Sequence, residues 1–384
     1  MDKFYAIRPY TEEEALVAMP AFVRDPNFAK AVNLLSPEIT IATLEEELKQ
    51  VKSIFDFQMM ISHRFIEYFV KIGTKGITFS GIEHIKPDES YLFIANHRDI
   101  SLDSAILHHY FFVNGFRVAK IAIGDNLLQN PLLTQFAKLN KMFLVKRALS
   151  IREKLANYQL LSEYIAQNIL MENESIWIAQ RNGRSKNGID QTQHGLVKML
   201  SMSGRKQPVK RLKALKLTPV CISYEYEPCA RLKARETALS QHKNYTKLPG
   251  EDFNSIKEGL FGQKGRVHLA IGKPIVDELD LIDSQLTANE KIVEVCRLVD
   301  KQIYQNYKLF PTNYIAYDEL EQGYDFAEYY TPGEKAAFMD YLLKQTVASD
   351  VSPDVMFEKL LHIYATPVKT CVLGETLANH DYED

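Results

Sequence analysis

The sequence predicts an α/β protein: a mixed sheet flanked by helices, with an N-terminal helical segment before it and a C-terminal helical cap after it. Three observations lead there. From Gly76 onward, short apolar runs alternate with segments of helical spacing, the pattern of an α/β layer structure. The stretch before Gly76 and the stretch after Lys273-Pro274 are helical in character instead. At 384 residues, with 46% hydrophobic and 25% charged side chains, the chain has the make-up of a soluble globular protein with room for one large domain or two ordinary ones.

Residues 1–40 contain Pro9, Pro20, Pro26 and Pro37, which punctuate any helix and predict a loosely structured lead-in packed on a later domain. From Thr43 the apolar positions Leu44, Leu48, Val51 and Phe55 recur at helical spacing, and the face widens from Ile54 to Ile72. Asp56, His63, Arg64, Glu67 and Lys71 interrupt that face, so it does not span a bilayer. A face this wide predicts a helix wedged into a core, with lipid contact as the competing reading.

The strand-like runs are Ile77 to Phe79, Tyr91 to Ala95, Val118 to Ile123, Met142 to Val145, Ser175 to Ala179, Leu217 to Tyr224 and Val267 to Ile271. Between them, Pro131 to Leu139 reads as a short helix and Ser150 to Glu172 as a long amphipathic one. Asn289 to Tyr307, Ala336 to Leu343 and Pro353 to Ile363 are the helices expected after the sheet, and the last dozen residues read as a frayed end. The boundaries are therefore set at 1–75, 76–276 and 277–384, the last an accessory helical region.

A net charge of −3 argues against bulk nucleic-acid binding. The four cysteines, Cys221, Cys229, Cys296 and Cys371, lack the spacing of a zinc site or a disulfide framework. With no signal-type pattern at the start, a reducing cytoplasmic setting is expected.

The chemistry concentrates at strand ends. Tyr91 to Ala95 runs into Asn96-His97-Arg98-Asp99, and helical spacing resumes at Leu102, Ala105, Ile106 and Tyr110. A histidine there sits at the mouth of a sheet, where α/β proteins bind ligands. Asp103, about one turn into the helix, is placed to turn back on the imidazole, giving a general base and its orienting acid. The plainer reading is that Asp99 or Ser101 caps the helix and His97 is a solvated loop residue. Phe143 to Val145 runs into Lys146-Arg147, and Ile176 to Ala179 runs into Gln180-Arg181-Asn182-Gly183-Arg184-Ser185-Lys186-Asn187-Gly188. Glycines that admit a close ligand, beside arginine forks, suit phosphate oxygens; an exposed basic turn is the alternative. A further basic run, Arg205, Lys206, Lys210, Arg211, Lys213 and Lys216, is either a site for anionic headgroups or an acidic carrier, or a solvated connector.

In order and character these blocks resemble the glycerolipid acyltransferase family, over about Gly76 to Ile275. Its Asn-His-x-x-x-x-Asp block is matched by Asn96, His97, Arg98 and Leu102-Asp103, and its arginine-ended strand by Phe143 to Arg147. The Glu-Gly-Thr-Arg-Ser-like loop is matched in part by Asn182-Gly183-Arg184-Ser185, the Pro-Val strand by Thr218-Pro219-Val220, and the closing strand by Gly272-Lys273-Pro274-Ile275. Two departures stand out. Five residues separate His97 from Asp103 where the family has four, so either Asp103 keeps the family's role, the favoured reading, or Asp99 has taken it. The third block's glutamate is absent, with Arg181 or Asn182 in its place.

The resemblance implies that His97 takes the proton of an acceptor hydroxyl as it attacks the thioester of acyl-CoA or acyl-carrier protein, with Asp103 orienting the imidazole. Arg147, Arg181 and Arg184 would hold a phosphate, with Asn96, Arg98, Asn182, Gly183 and Ser185 completing the substrate site. It requires neither a metal nor a cofactor beyond the acyl donor. It also implies a peripheral position at the inner face of an anionic membrane. The missing glutamate keeps open an aminolipid acceptor, and, with the altered spacing, a non-catalytic lipid- or phosphate-binding protein. His63, His84, His97, His108 and His109 are not spaced as a metal site, which disfavours a metallophosphoesterase.

Overall fold

The structure, a computed structural model, describes residues 2–35, 39–128, 130–147, 149–204, 207–240, 245–246, 250–347 and 349–374. Its centre is a seven-stranded mixed sheet: β1 (Ile77–Ser80), β2 (Leu92–Ala95), β3 (Lys120–Gly124), β4 (Met142–Val145), β5 (Ile176–Ala179), β6 (Leu217–Tyr224) and β7 (Val267–Ile271). The spatial order is β1-β7-β6-β2-β5-β3-β4. β6 and β7 pair antiparallel and every other neighbouring pair is parallel, so the C-terminal ends of β2 to β6 share one edge. β2 lies in the middle, with Ala95 opposite Ala179 on one side and Val220 on the other.

Alternation along the strands builds two apolar layers. Leu92, Ile94, Ile176, Ile178 and Leu217 face the helices Ile151–Leu170, His194–Ser201 and Ala288–Asn306. Phe93, Ala95, Trp177, Val220 and Ile222 face Leu102–Val113 and Phe69 of Arg64–Gly73. Ala288–Asn306, which the sequence reading assigned to the accessory region, thus covers the sheet itself. The C-terminal helices Pro311–Glu321, Pro332–Thr346 and Pro353–Cys371 form a separate cluster around Ile315, Phe338, Leu342 and Leu360, and Ala230 and Ala234 join it.

The N-terminal region differs from the expectation of a loose lead-in. Glu12–Val23 and Pro26–Leu35 are helices, and Ala15, Met19, Phe22 and Val23 are buried against Phe57 and Leu139. Thr11 and Glu14 form a capping box. Pro26 opens its helix, where no N–H is needed, and Pro20 is carried inside a helix held by burial. The Leu144 N–H donates to the Ile7 carbonyl, tying this region to β4.

The helix expected from Thr43 to Ile72 is broken into Ile41–Leu48, Ile54–Phe57, a π-helical turn at Gln58–His63, and Arg64–Gly73. Phe57, Met60, Ile61 and Phe69 are buried and Phe65, Ile66, Val70 and Ile72 half-buried, so that face packs into the protein except at the exposed Phe55 and Met59. Arg205, Lys206 and residues 375–384 lie outside the described residues. No described helix is long and apolar enough to cross a membrane.

Candidate active site

His97 follows β2 in the turn that leads into Leu102–Val113. Its Nδ1 lies 2.8 Å from Asp103 Oδ2. A carboxylate only accepts, so this contact assigns the proton to Nδ1 and leaves the Nε2 lone pair available. Nε2 has no hydrogen-bond partner among the described residues, and the side chain is 14% exposed. The same Asp103 oxygen accepts the N–H groups of Arg98 (2.7 Å) and Asp99 (2.9 Å), so the longer turn folds around the carboxylate without losing it. Asp103 Oδ1 accepts from the Tyr224 hydroxyl at 2.8 Å. Burial, then the Asp103 and Asp99 carboxylates, push the Tyr224 phenol well above its usual pKa, so it serves as a donor.

Asp99 does not pair with His97. Its Oδ1 accepts the N–H groups of Ser101 and Leu102, both at 2.8 Å, and caps the helix. Burial, with Asp103 close by, raises its pKa.

The loop after β5 joins the histidine directly: Ser185 N–H donates to the His97 carbonyl at 2.8 Å. Gly183 turns this loop with φ +81°, a conformation that favours glycine, and Asn182 and Gly183 are exposed. Arg181 is half-buried, whereas Arg184 and Ser185 are buried. Arg184 Nη1 and Ser185 Oγ have no hydrogen-bond partner among the described residues, and the nearby Asp99 carboxylate is a charge neighbour of Arg184. Arg147 stands at the same edge, three strands from β2, or about 14 Å at ordinary strand spacing. It leans inward, since a Cβ added at Gly124 would lie 3.0 Å from its Nε.

Residues 76–223 match the family model described as Acyltransferase. The match covers 148 of the 384 residues. The chain therefore carries an acyltransferase domain and is an enzyme of that class, and the domain holds His97, Asp103, Arg147 and the 181–185 loop. Among solved structures, the chain is similar to the crystal structure of the 1-acyl-sn-glycerophosphate (LPA) acyltransferase, PlsC, from Thermotoga maritima, at 12% identity and a TM-score of 0.38, over 75% of this chain and 97% of that one. No curated protein matches the chain.

Two residues of the acyltransferase domain that the sequence reading placed in the substrate site are committed elsewhere. Asn96 is fully buried and bonds Asp190 and both backbone groups of Ile222, stitching β2 to β6. Arg98 is 1% exposed, and its guanidinium donates to Asp190 (2.6 Å), Glu227 (3.3 Å) and the Gly188 carbonyl (3.1 Å), over the Tyr307 ring. Lys233 closes the cluster, donating to Glu227 at 2.5 Å and to the Arg98 carbonyl at 2.6 Å. These contacts brace the His97 turn from beneath, where Arg98 cannot reach a substrate.

Tyr224, Asp190, Glu227 and Lys233 escaped the sequence reading. Only Tyr224 carried a usable signal, as the last residue of a strand predicted in full. The Arg211, Lys213 and Lys216 run precedes β6 and so lies at the edge opposite His97, where Lys213 pairs with Asp280 and Lys216 with Glu89. No group of three or more His, Cys, Asp or Glu able to hold a metal occurs among the described residues.

Proposed function

We propose that the protein is an O-acyltransferase moving a fatty acyl group from acyl-CoA or acyl-carrier protein to a hydroxyl of glycerol phosphate or a lysophospholipid. The observation that carries this reading is the 2.8 Å contact of His97 Nδ1 with a buried Asp103, inside the stretch that matches the Acyltransferase model. His97 Nε2 accepts the acceptor's hydroxyl proton as its oxygen attacks the thioester carbonyl. The new C–O bond forms, the C–S bond breaks, and the proton passes from the imidazolium to the departing thiolate. Asp103 holds the tautomer and stabilises the imidazolium. The acceptor's phosphate binds Arg147 and Arg181, and Arg184 carries positive charge beneath the loop. The Asn182 and Ser185 N–H groups are already bonded to Gln193 Oε1 and the His97 carbonyl, so the loop's donors for the carbonyl oxygen as it gains charge are the Gly183 and Arg184 N–H groups. Because the product, and a lysophospholipid acceptor, are lipids, the reaction takes place at the cytoplasmic face of an anionic membrane.

An aminolipid acceptor is the second reading, favoured by Arg181 and Asn182 where the family has a glutamate. The test is transfer from long-chain acyl-CoA and acyl-carrier protein to glycerol-3-phosphate, lysophosphatidate and a lyso-aminolipid, with His97→Ala as control. Transfer that falls by about 10²–10⁴-fold in the variant supports the mechanism, and the preferred acceptor decides between the two readings. No transfer to any acceptor, with lipid bound equally by both proteins, overturns the enzyme reading.

A further inference from the structure

The helix Ile151–Leu170 begins at the sheet edge that carries His97, directly after β4 and Arg147. Further along it is an ordinary covering helix, with Leu161, Ile165 and Ile169 in the core. Its beginning is different. All six residues from Ile151 to Ala156 are exposed, Ile151 to 89% and Leu155 to 62%. These two lie four apart and so form one ridge.

At about 100° per residue, Arg152 and Lys154 fall about 80° to either side of that ridge, and Glu153 falls on the opposite face. Glu153 is engaged as the partner of Ser150 in a capping box. Lys146, exposed at the end of β4, adds a third cation, and Lys146, Arg152 and Lys154 make no salt bridge among the described residues. An apolar ridge flanked by unpaired cations, with its one acid turned away, is the arrangement of a surface that enters an anionic interface.

A second apolar side chain stands on the same edge. Phe253, 62% exposed, follows Asp252, which accepts from Asn126 Nδ2 at 3.2 Å. Asn126 and Arg147 both crowd the same face of Gly124. The two surfaces that the sequence offered for lipid contact are otherwise disposed: the 54–72 face is buried or half-buried except at Phe55 and Met59, and the described part of the basic run before β6 lies at the far edge.

We propose that the Ile151–Leu155 ridge, with Lys146, Arg152 and Lys154 around it and Phe253 on the same edge of the sheet, seats the His97 edge of the protein on an anionic lipid bilayer. The proposal rests on the reading of the acceptor as a lipid, and it names the element that brings the site to that lipid. Aliphatic side chains projecting from a convex helix end suit a deformable headgroup layer, into which they insert while the cations meet lipid phosphates. A rigid acidic protein would need a matching hollow.

The test is flotation of the full chain with vesicles of phosphatidylcholine, with and without phosphatidylglycerol, read without turnover. The wild type binds the anionic vesicles and is released by salt. Arg152→Gln and Lys154→Gln each weaken partitioning about fivefold, and Ile151→Ser with Leu155→Ser weakens it further, with unchanged thermal midpoints and unchanged transfer to a short-chain, water-soluble acceptor. Failure of the wild type to bind, or variants that bind as the wild type does, overturns the proposal. So does vesicle binding that survives in variants that lose an acyl-carrier protein, since the ridge then serves that acidic partner. Binding intact without turnover tells against the catalytic reading alone.

Discussion

The Tyr224 hydroxyl donates to Asp103 Oδ1 at 2.8 Å, while the other oxygen of the same carboxylate holds His97. The two bonds fix the carboxylate from both ends, so Asp103 can hold only one orientation of the imidazole. In Tyr224→Phe, Oδ1 is left without its donor in a buried site. A buried hydrogen bond to a charged group contributes about 1.5–3 kcal/mol, which in turnover is about ten- to a hundredfold. Steady-state kinetics are expected to show that loss in kcat with acceptor KM unchanged. A change confined to KM would mean that Tyr224 contacts substrate rather than positioning Asp103.

Arg147 is exposed, free of any salt bridge among the described residues, and turned over Gly124 toward the site. Arg147→Ala is expected to raise acceptor KM about tenfold or more, the worth of a charge-assisted contact to phosphate. Its thermal midpoint should match the wild type, because nothing in the core depends on the side chain. Equal KM values for the two proteins would remove Arg147 from the acceptor site.

Arg98 is a structural cation. Arg98→Met leaves Asp190 buried without its cation and Glu227 with Lys233 alone, and breaking a buried pair in this way costs about 3–5 kcal/mol. Urea denaturation should show that loss. Adding Asp190→Asn should recover part of it by removing one uncompensated charge. A single variant as stable as the wild type would contradict the buried pairing.

His108 is buried in the helix Leu102–Val113, and desolvation lowers its pKa to about 4. The unfolded chain takes up the proton near pH 6.5, so between pH 6.5 and 4 the unfolded state binds more protons than the folded one. Stability from the neutral histidine is therefore complete above pH 6.5 and is lost as pH falls to about 4. His108→Phe, which cannot titrate, should flatten this part of the urea-midpoint profile. An unchanged slope would place the acid sensitivity elsewhere.

All seven strands and the His97–Asp103 pair were legible in the sequence. The two residues share one strand–turn–helix unit, and the apolar spacing from Leu102 shows that Asp103 opens the helix. The same local reading failed for Asn96 and Arg98. As neighbours of His97 in the chain they look like site residues, but their partners Asp190 and Glu227 lie 92 to 129 positions away. The N-terminal prolines misled for a related reason. Pro26 opens a helix and Pro20 is tolerated within one, because Met19, Phe22 and Val23 are buried around it.

The sequence by itself determined the order of strands and helices, the apolar faces and the histidine–aspartate unit, since each depends on residues a few positions apart along one element. Tertiary structure alone decided which charges stayed at the surface and which became internal. It buried Arg98 against Asp190 and Glu227, brought Tyr224 to Asp103, and left Ile151 and Leu155 uncovered beside Arg152 and Lys154. The physical reason is that a charged or apolar side chain acquires its role from what surrounds it, and those surroundings come from distant parts of the chain.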